Sequence, residues 1–251
     1  MRRYKRHTEN HDYREPALAE CVIFVRFAPE EFDLVELAGA MGPNSPSRLS
    51  RGFLLEEASP DTEMFSLNRA SAMGAKIRFE NAQRTFTVHC GPGLITLHAS
   101  KPYTGFKGFL AQSMSAITQI ARLHEDFSIT ELSLAYLDIF DLDDDKPVQL
   151  SNLFRYGFHL PGLPFQEDMI VRDFEVSTQF ELEKLQRLVS LDLDSGSKGI
   201  GLFSSCEAKD VALPNLASLE DWLLDSHEVL VDLFESVITD QTRNLMEVVN
   251  V

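Results

Sequence analysis

Cysteine is scarce in this 251-residue chain: Cys21, Cys90 and Cys206 are its three thiols, and they lie far apart. An odd count without close pairs argues against a disulfide framework and a zinc knuckle, so the thiols read as small buried apolar groups. Long hydrophobic runs are missing too. The longest, residues 21–27, is interrupted by Arg26 and is far too short to cross a bilayer. The first 19 residues are polar and lack the apolar core of a secretory signal, so a soluble, cytoplasmic protein with no membrane contact is expected. Familiar chemical signatures are also absent: there is no G-x-S-x-G, H-E-x-x-H or G-x-G-x-x-G, and no cysteine–histidine arrangement that can be defended. No catalytic residue, metal or cofactor is therefore expected, although groups converging from distant segments would escape such a search.

Positive charge is in short supply. Twenty-three Lys and Arg stand against 39 Asp and Glu, a net of -16. Five of the basic residues (Arg2, Arg3, Lys5, Arg6 and Arg14) crowd the first 14 positions, which leaves the remainder more acidic still. Such a surface repels phosphates, so direct nucleic-acid binding is not expected. Residues 1–15 are polar, charged and closed by Pro16, and read as a disordered basic leader.

What the chain does have is an order of elements that runs twice. A strand at 20–27 and a helix at 31–41 lead to extended segments ending in a meander at 76–100, then an amphipathic helix from Thr104 to His124. The order then returns: a strand at 131–140, a short helix at 151–157, extended runs across 169–203 and a helix from Ser218 onward. This predicts an α+β protein of two pseudo-repeated β-α-β-β-β-α halves, residues 16–128 and 129–251, forming one compact unit. An antiparallel sheet would be covered by two long amphipathic helices. The strand at 20–27 is apolar on both faces and should be central, with Arg26 solvated at its end or paired inside. Residues 41–51, rich in Pro and Ser, should form a loop.

In the meander, Ile77 and Phe79, then Phe86 and Val88, alternate with polar residues. The Gly91-Pro92-Gly93 turn leads into residues 94–100. Matching apolar faces predicts Val88 opposite Ile95 and Phe86 opposite Leu97. Thr85 then opposes His98 and His89 opposes Leu94, which separates the two histidines by about 13 Å along the hairpin. They would share a face but no metal ion.

Thr104 is a candidate N-cap for a stripe through Phe106, Phe109, Leu110, Met114, Ile117, Ile120 and Ala121. Ser218 is the corresponding candidate for the last helix, with Glu220 and Asp221 in its first turn. His227 falls on that helix's apolar stripe, between Leu223 and Leu230, where a hydrogen-bonded core histidine is the simpler reading.

Other constellations weaken on inspection. Asp141, Asp143 and Asp145 open like a calcium loop, but Lys146 and Asn152 occupy the positions that need glycine and glutamate. The segment from Ser195 to Gly199 lacks the first glycine of a phosphate loop and reads as a hairpin turn. Asp192 and Asp194 share one face of a strand, either as a carboxylate pair or as its wet side. Lys101-Pro102-Tyr103 joins meander to helix; Pro102 ends the strand and Tyr103 packs under the helix start, while an anion held there is the functional alternative.

The stretch ECVIFVRF at 20–27, the run from Leu97 through Lys101-Pro102-Tyr103 to Phe106, the Ser190-Leu191-Asp192-Leu193-Asp194 strand and the ending Trp222, His227, Phe234, Ile238-Thr239 together resemble a sporadically distributed family of uncharacterised bacterial proteins. Where that family often has Arg-Tyr in the central strand, this chain has Ala135-Tyr136. The resemblance implies a fold and an accessory gene, in a defence or mobile-element setting, and no activity.

The leading expectation is a non-enzymatic interaction or regulatory protein that binds a protein partner, a basic one among the candidates, through an acidic surface; its sharpest version is a neutralising subunit or nucleic-acid mimic. The alternative is a small-molecule or nucleotide-binding enzyme with a pocket between sheet and helices, where His98, Lys101, Tyr103 and His227 would bind ligand. A structural homodimer is a third reading.

Overall fold

A computed structural model of the chain describes residues 13, 16–28, 33–41, 51–54, 74–103, 105–123, 125–140, 153–155, 175–196, 199–209 and 216–246. Nine strands among them form one sheet. They are β1 (Leu18–Ala28), β2 (Arg51–Leu54), β3 (Ile77–Glu80), β4 (Phe86–Gly91), β5 (Leu94–Ser100), β6 (Ser128–Phe140), β7 (Glu175–Leu182), β8 (Arg187–Gly196) and β9 (Gly199–Ala208), in the spatial order β2-β3-β4-β5-β1-β6-β9-β8-β7. Every ladder is antiparallel. The helices are α1 (Leu34–Met41), α2 (Phe106–Ala121), α3 (Leu216–Val237) and α4 (Asp240–Leu245), so the fold is α+β. No described helix is long and apolar enough to cross a membrane.

β1 is central, as its two apolar faces require: it lies between β5 and β6. Cys21, Ile23, Val25 and Phe27 share one core with Leu132 and Leu134 of β6, Phe109 and Ile117 of α2, and Trp222 and Leu230 of α3. These alternate residues mark the helix-covered face of the sheet. A second cluster joins Phe140, Leu191 and Leu193 to Phe154 and Ile238. Arg26, on the other face, pairs with Glu131 at 3.1 Å with both side chains well exposed.

The β4–β5 register differs from the expected one by two residues. Val88 pairs with Leu97 and Phe86 with Ala99, while Gly91 pairs with Leu94. The turn is tighter than expected: Pro92 and Gly93 alone close it, and Gly93 takes the positive φ of 60° that a Pro-Gly type II turn asks of its second residue. Gly91 stays in the ladder, at a place where a side chain would run into the Gly74 carbonyl and Ala75 and only glycine fits. A slip of two preserves the faces and moves every partner.

The helix starts differ as well. The N-cap of α2 is Gly105, with φ 93° and no side-chain cap; Thr104 and His124 lie outside the described residues. α3 begins at Leu216, so Ser218 is inside it and its first turn holds no acid. Leu216 already packs against the core; 210–215 lie outside the described residues. The chain then breaks at Thr239, whose hydroxyl accepts from the Thr242 amide at 3.2 Å and caps the separate helix α4. Of the short helix expected at 151–157, Leu153 is helical and Phe154 forms an antiparallel bridge with Ile238, buried with it in the second cluster; 151–152 and 156–157 lie outside the described residues.

β2 extends the sheet at residue 51, where a loop was expected to end; 42–50 lie outside the described residues. β8 and β9 pair down to Gly196 and Gly199, so the segment from Ser195 to Gly199 is a hairpin turn, with Ser197 and Lys198 outside the described residues. The leader is corrected at one point. Tyr13 is half-buried, its ring edge-on to Phe234 and its hydroxyl donating to Glu235 Oε1 at 2.7 Å; residues 1–12, 14 and 15 lie outside the described residues.

Candidate functional site

The four residues singled out as ligand-binding do not gather in one place. Lys101, which a cis peptide joins to Pro102, is exposed. His98 pairs across from Val22, on the sheet face away from the helices. Tyr103 and His227 do converge, on the helix-covered face, around two residues with no sequence motif of their own, Tyr136 and Cys21.

Tyr136 is their hub. β6 places it beside Cys21 of β1 in the central ladder, and its hydroxyl lies 2.6 Å from His227 Nδ1. The His227 ring stacks on Phe106 of α2, with centroids 4.1 Å apart and planes 10° from parallel. His227 is thus a hydrogen-bonded histidine in the core stripe that locks α2, α3 and the sheet together. Burial pushes the Cys21 thiol and the Tyr103 and Tyr136 phenols above their usual values, so all three stay protonated at neutral pH and the thiol is no ready nucleophile. Asp138, two residues along β6 on the same face, is lifted to about 7 by burial, against the opposite pull of the Lys101 charge. Unlike the thiol and the two phenols, it changes charge near neutral pH.

The space expected between sheet and helices is filled at this point by the Phe106–His227 stack. A shallow notch open to solvent lies between Thr85, Ser100, Pro102, Tyr103 and Gln112. Tyr136→Phe tests the hub. It leaves His227 Nδ1 without that hydroxyl and should lower stability by about 1–3 kcal/mol in urea denaturation; unchanged stability would show that the bond does not hold the layers.

The opposite face carries a second polar group, which the sequence-derived register hid. With Val88 opposite Leu97, the His89 and His98 rings become diagonal neighbours with centroids 4.7 Å apart, not about 13 Å. Thr96 sits between them, its Oγ1 2.9 Å from His98 Nε2 and 3.5 Å from His89 Nδ1. His98 Nδ1 in turn lies 2.8 Å from Glu20 Oε1. Burial first, then the His98 and Arg78 charges, lower His89 to about 2, so it is neutral at any physiological pH. Among the described residues no three His, Cys, Asp or Glu side chains gather as a metal site would require.

Asp192 and Asp194 share the face away from the helices, as their alternation predicted. They pair across to Ser177 and Glu175 of β7. One oxygen of Asp192 is shielded from solvent without a hydrogen-bond partner. Asp141, Asp143, Asp145, Lys146 and Asn152 lie outside the described residues.

No family model and no curated protein matches the chain. Among solved structures it is similar to Methanococcus jannaschii TBP, at 11% identity with a TM-score of 0.30, over 85% of this chain and 99% of that one. So low a score gives the likeness no weight.

Proposed function

We propose that the protein is a non-enzymatic interaction protein that binds a basic, extended segment of a protein partner at the acidic end of its sheet. The observation behind this is the open face of β7 and β8. There Glu175 pairs directly with Asp194, and Asp192 is next along the same strand. Like charges placed directly opposite destabilise a sheet, and in the described ladder no lysine or arginine alternates with these three. Lys209, at the other end of these ladders, is engaged by Glu181 at 2.6 Å. β7 also ends the sheet order among the described strands, and a terminal strand is where an extended partner adds.

The test is co-purification followed by identification of what is bound. A basic partner should be retained at about 50 mM salt and released at several hundred millimolar, as screening shortens the reach of surface charge. The triple variant Glu175→Gln, Asp192→Asn, Asp194→Asn should lose it. Retention by that variant, or a bound partner that is not basic, refutes the reading.

The same reading takes the chain as a tandem of two units, 16–128 and 129–251. Its support is the sheet order outward from the β1–β6 ladder, β5-β4-β3 on one side and β9-β8-β7 on the other, with one long helix after each run. A cytoplasmic location agrees with three buried cysteines that are all free. A second reading, a small-molecule enzyme working at the helix-covered face, draws on Asp138, whose value near 7 suits proton transfer. A metabolite that raises the melting temperature of the wild type and not of Asp138→Asn would favour it.

A further inference from the structure

We propose that Arg78 and His89 form a binding site for a small oxyanion, a carboxylate or a phosphate, on the sheet face away from the helices. The His98–Glu20 pair opens and closes it through Thr96.

Arg78 and His89 are direct cross-strand partners in the β3–β4 ladder, which places their side chains side by side on one face. Each has a nitrogen shielded from solvent with no hydrogen-bond partner: Nε of Arg78 and Nε2 of His89. Polar atoms out of water are rarely left so, and an unmatched pair side by side marks a place that something else completes. His89 is 1% exposed, whereas the Arg78 side chain is 36% exposed and gives access from solvent. The local charge suits an anion. Glu80 is held by two guanidinium groups, Arg78 at 3.1 Å and Arg84 at 3.4 Å; with Glu20 behind His98 counted, these groups balance while His98 is neutral and carry one positive charge in excess once it is protonated.

The Thr96 hydroxyl decides what His89 presents. The charged or titratable described groups that meet His89 are Arg78 and Glu80 from β3, His98 from β5 and, behind His98, Glu20 from β1. With His98 neutral, its Nδ1–H donates to the Glu20 carboxylate and its Nε2 accepts the Thr96 hydroxyl proton. Thr96 Oγ1 then offers His89 a lone pair, Nδ1 of His89 carries the ring proton, and Nε2 is a bare lone pair that repels an anion. When a proton enters at His89 Nε2, the Nδ1 proton passes to Thr96 and the Thr96 proton passes to His98 Nε2. One proton is gained in all. His89 stays neutral, the charge rests on His98 beside Glu20, and Nε2 of His89 has become a donor alongside the Arg78 side chain. The site opens as pH falls. It lies at the opposite end of the sheet from the acidic surface and does not depend on it.

The probe is sulfate, whose charge does not change over the range used, titrated calorimetrically into the full-length protein at about pH 5.5 and pH 8. Saturable binding is expected at the lower pH, about tenfold or more weaker at the higher. Arg78→Gln, at a partly exposed position, should abolish it. Thr96→Val, nearly isosteric, should remove the pH dependence by cutting the proton path. Phosphate and acetate compared at the lower pH then separate a phosphoryl from a carboxylate ligand. No saturable sulfate binding, binding that survives Arg78→Gln, or equal affinity at both pH values overturns the proposal. Should Thr96→Val fail to fold, the wild-type pH series and Arg78→Gln still decide.

Discussion

Asp225→Ala is expected to cost the fold about 3–5 kcal/mol, while the double replacement Arg187→Met with Asp225→Leu is expected to be neutral or stabilising. Arg187 opens β8 on the helix-covered face and is completely buried beneath α3. Its guanidinium lies 5.2 Å over the Trp222 ring, donates to the Trp222 carbonyl at 3.4 Å and approaches Asp225 at 3.8 Å. Its Nε and Nη1 have no partner. Burial lowers its pKa against the pull of the Cys206 and Asp225 charges, which favour the cation. The pair therefore sits where desolvation is large and hydrogen bonding incomplete. Removing only the carboxylate strands a positive charge in the core. Replacing both partners by apolar groups of similar volume removes the desolvation cost along with the attraction. Urea denaturation of Arg187→Met, Asp225→Leu and the double variant gives the coupling directly. If Asp225→Ala lost less than about 1 kcal/mol, Arg187 would have to be hydrated, and the layer between α3 and β8 would be wet.

Arg187 also shows where the sequence was mute. It stands between Gln186, with φ 54°, and the alternating run of β8. Carried back from Leu193, Leu191 and Val189, the alternation of β8 puts Arg187 on the inward face, but an arginine at a strand's first residue reads as a solvated end rather than a buried cation. Elsewhere the alternation was enough. β1 is central because Cys21, Ile23, Val25 and Phe27 are apolar on one face while Val22 and Phe24 are apolar on the other. The α2 stripe is buried at Phe106, Phe109, Leu110, Ile117 and Ile120.

Alternation has a period of two, however, and cannot distinguish a register from one slipped by two. The choice fell to the turn, where Gly91 stays in the ladder at a place with no room for a side chain beside Gly74. That is a tertiary contact no local pattern records. Two histidines that looked far apart became ring neighbours as a result. Tyr136 was missed for a related reason: its importance comes from His227, 91 residues away in sequence. The one available signal was an aromatic residue at an inward position of a central strand. Helix starts erred in the direction of hydroxyl residues, since capping preference is weaker than the burial of Leu216 or the backbone freedom Gly105 supplies at φ 93°.

Asp138→Asn should stabilise the protein near pH 8 by up to about 4 kcal/mol and leave it nearly unchanged near pH 4. The sign follows from the proton count. The Asp138 carboxyl ionises near its ordinary 3.8 in the unfolded chain and near 7 in the fold, because burial in β6 outweighs the attraction of Lys101. Between those values the folded state holds a proton that the unfolded state has released, so stability falls as pH rises. The contribution is fully present below about 3.8 and is lost as pH passes through about 7. Asparagine keeps the shape and one donor of the protonated acid and never ionises, so it escapes the loss. Denaturation of wild type and variant at several pH values should give curves that coincide in acid and separate toward pH 8. The size of the separation reports how dry the sheet is beneath α3. Parallel curves would mean that Asp138 ionises freely in the fold. The carboxyl would then be hydrated, and the helix-covered face would hold water within reach of Tyr136, which is the condition an enzyme working there would need.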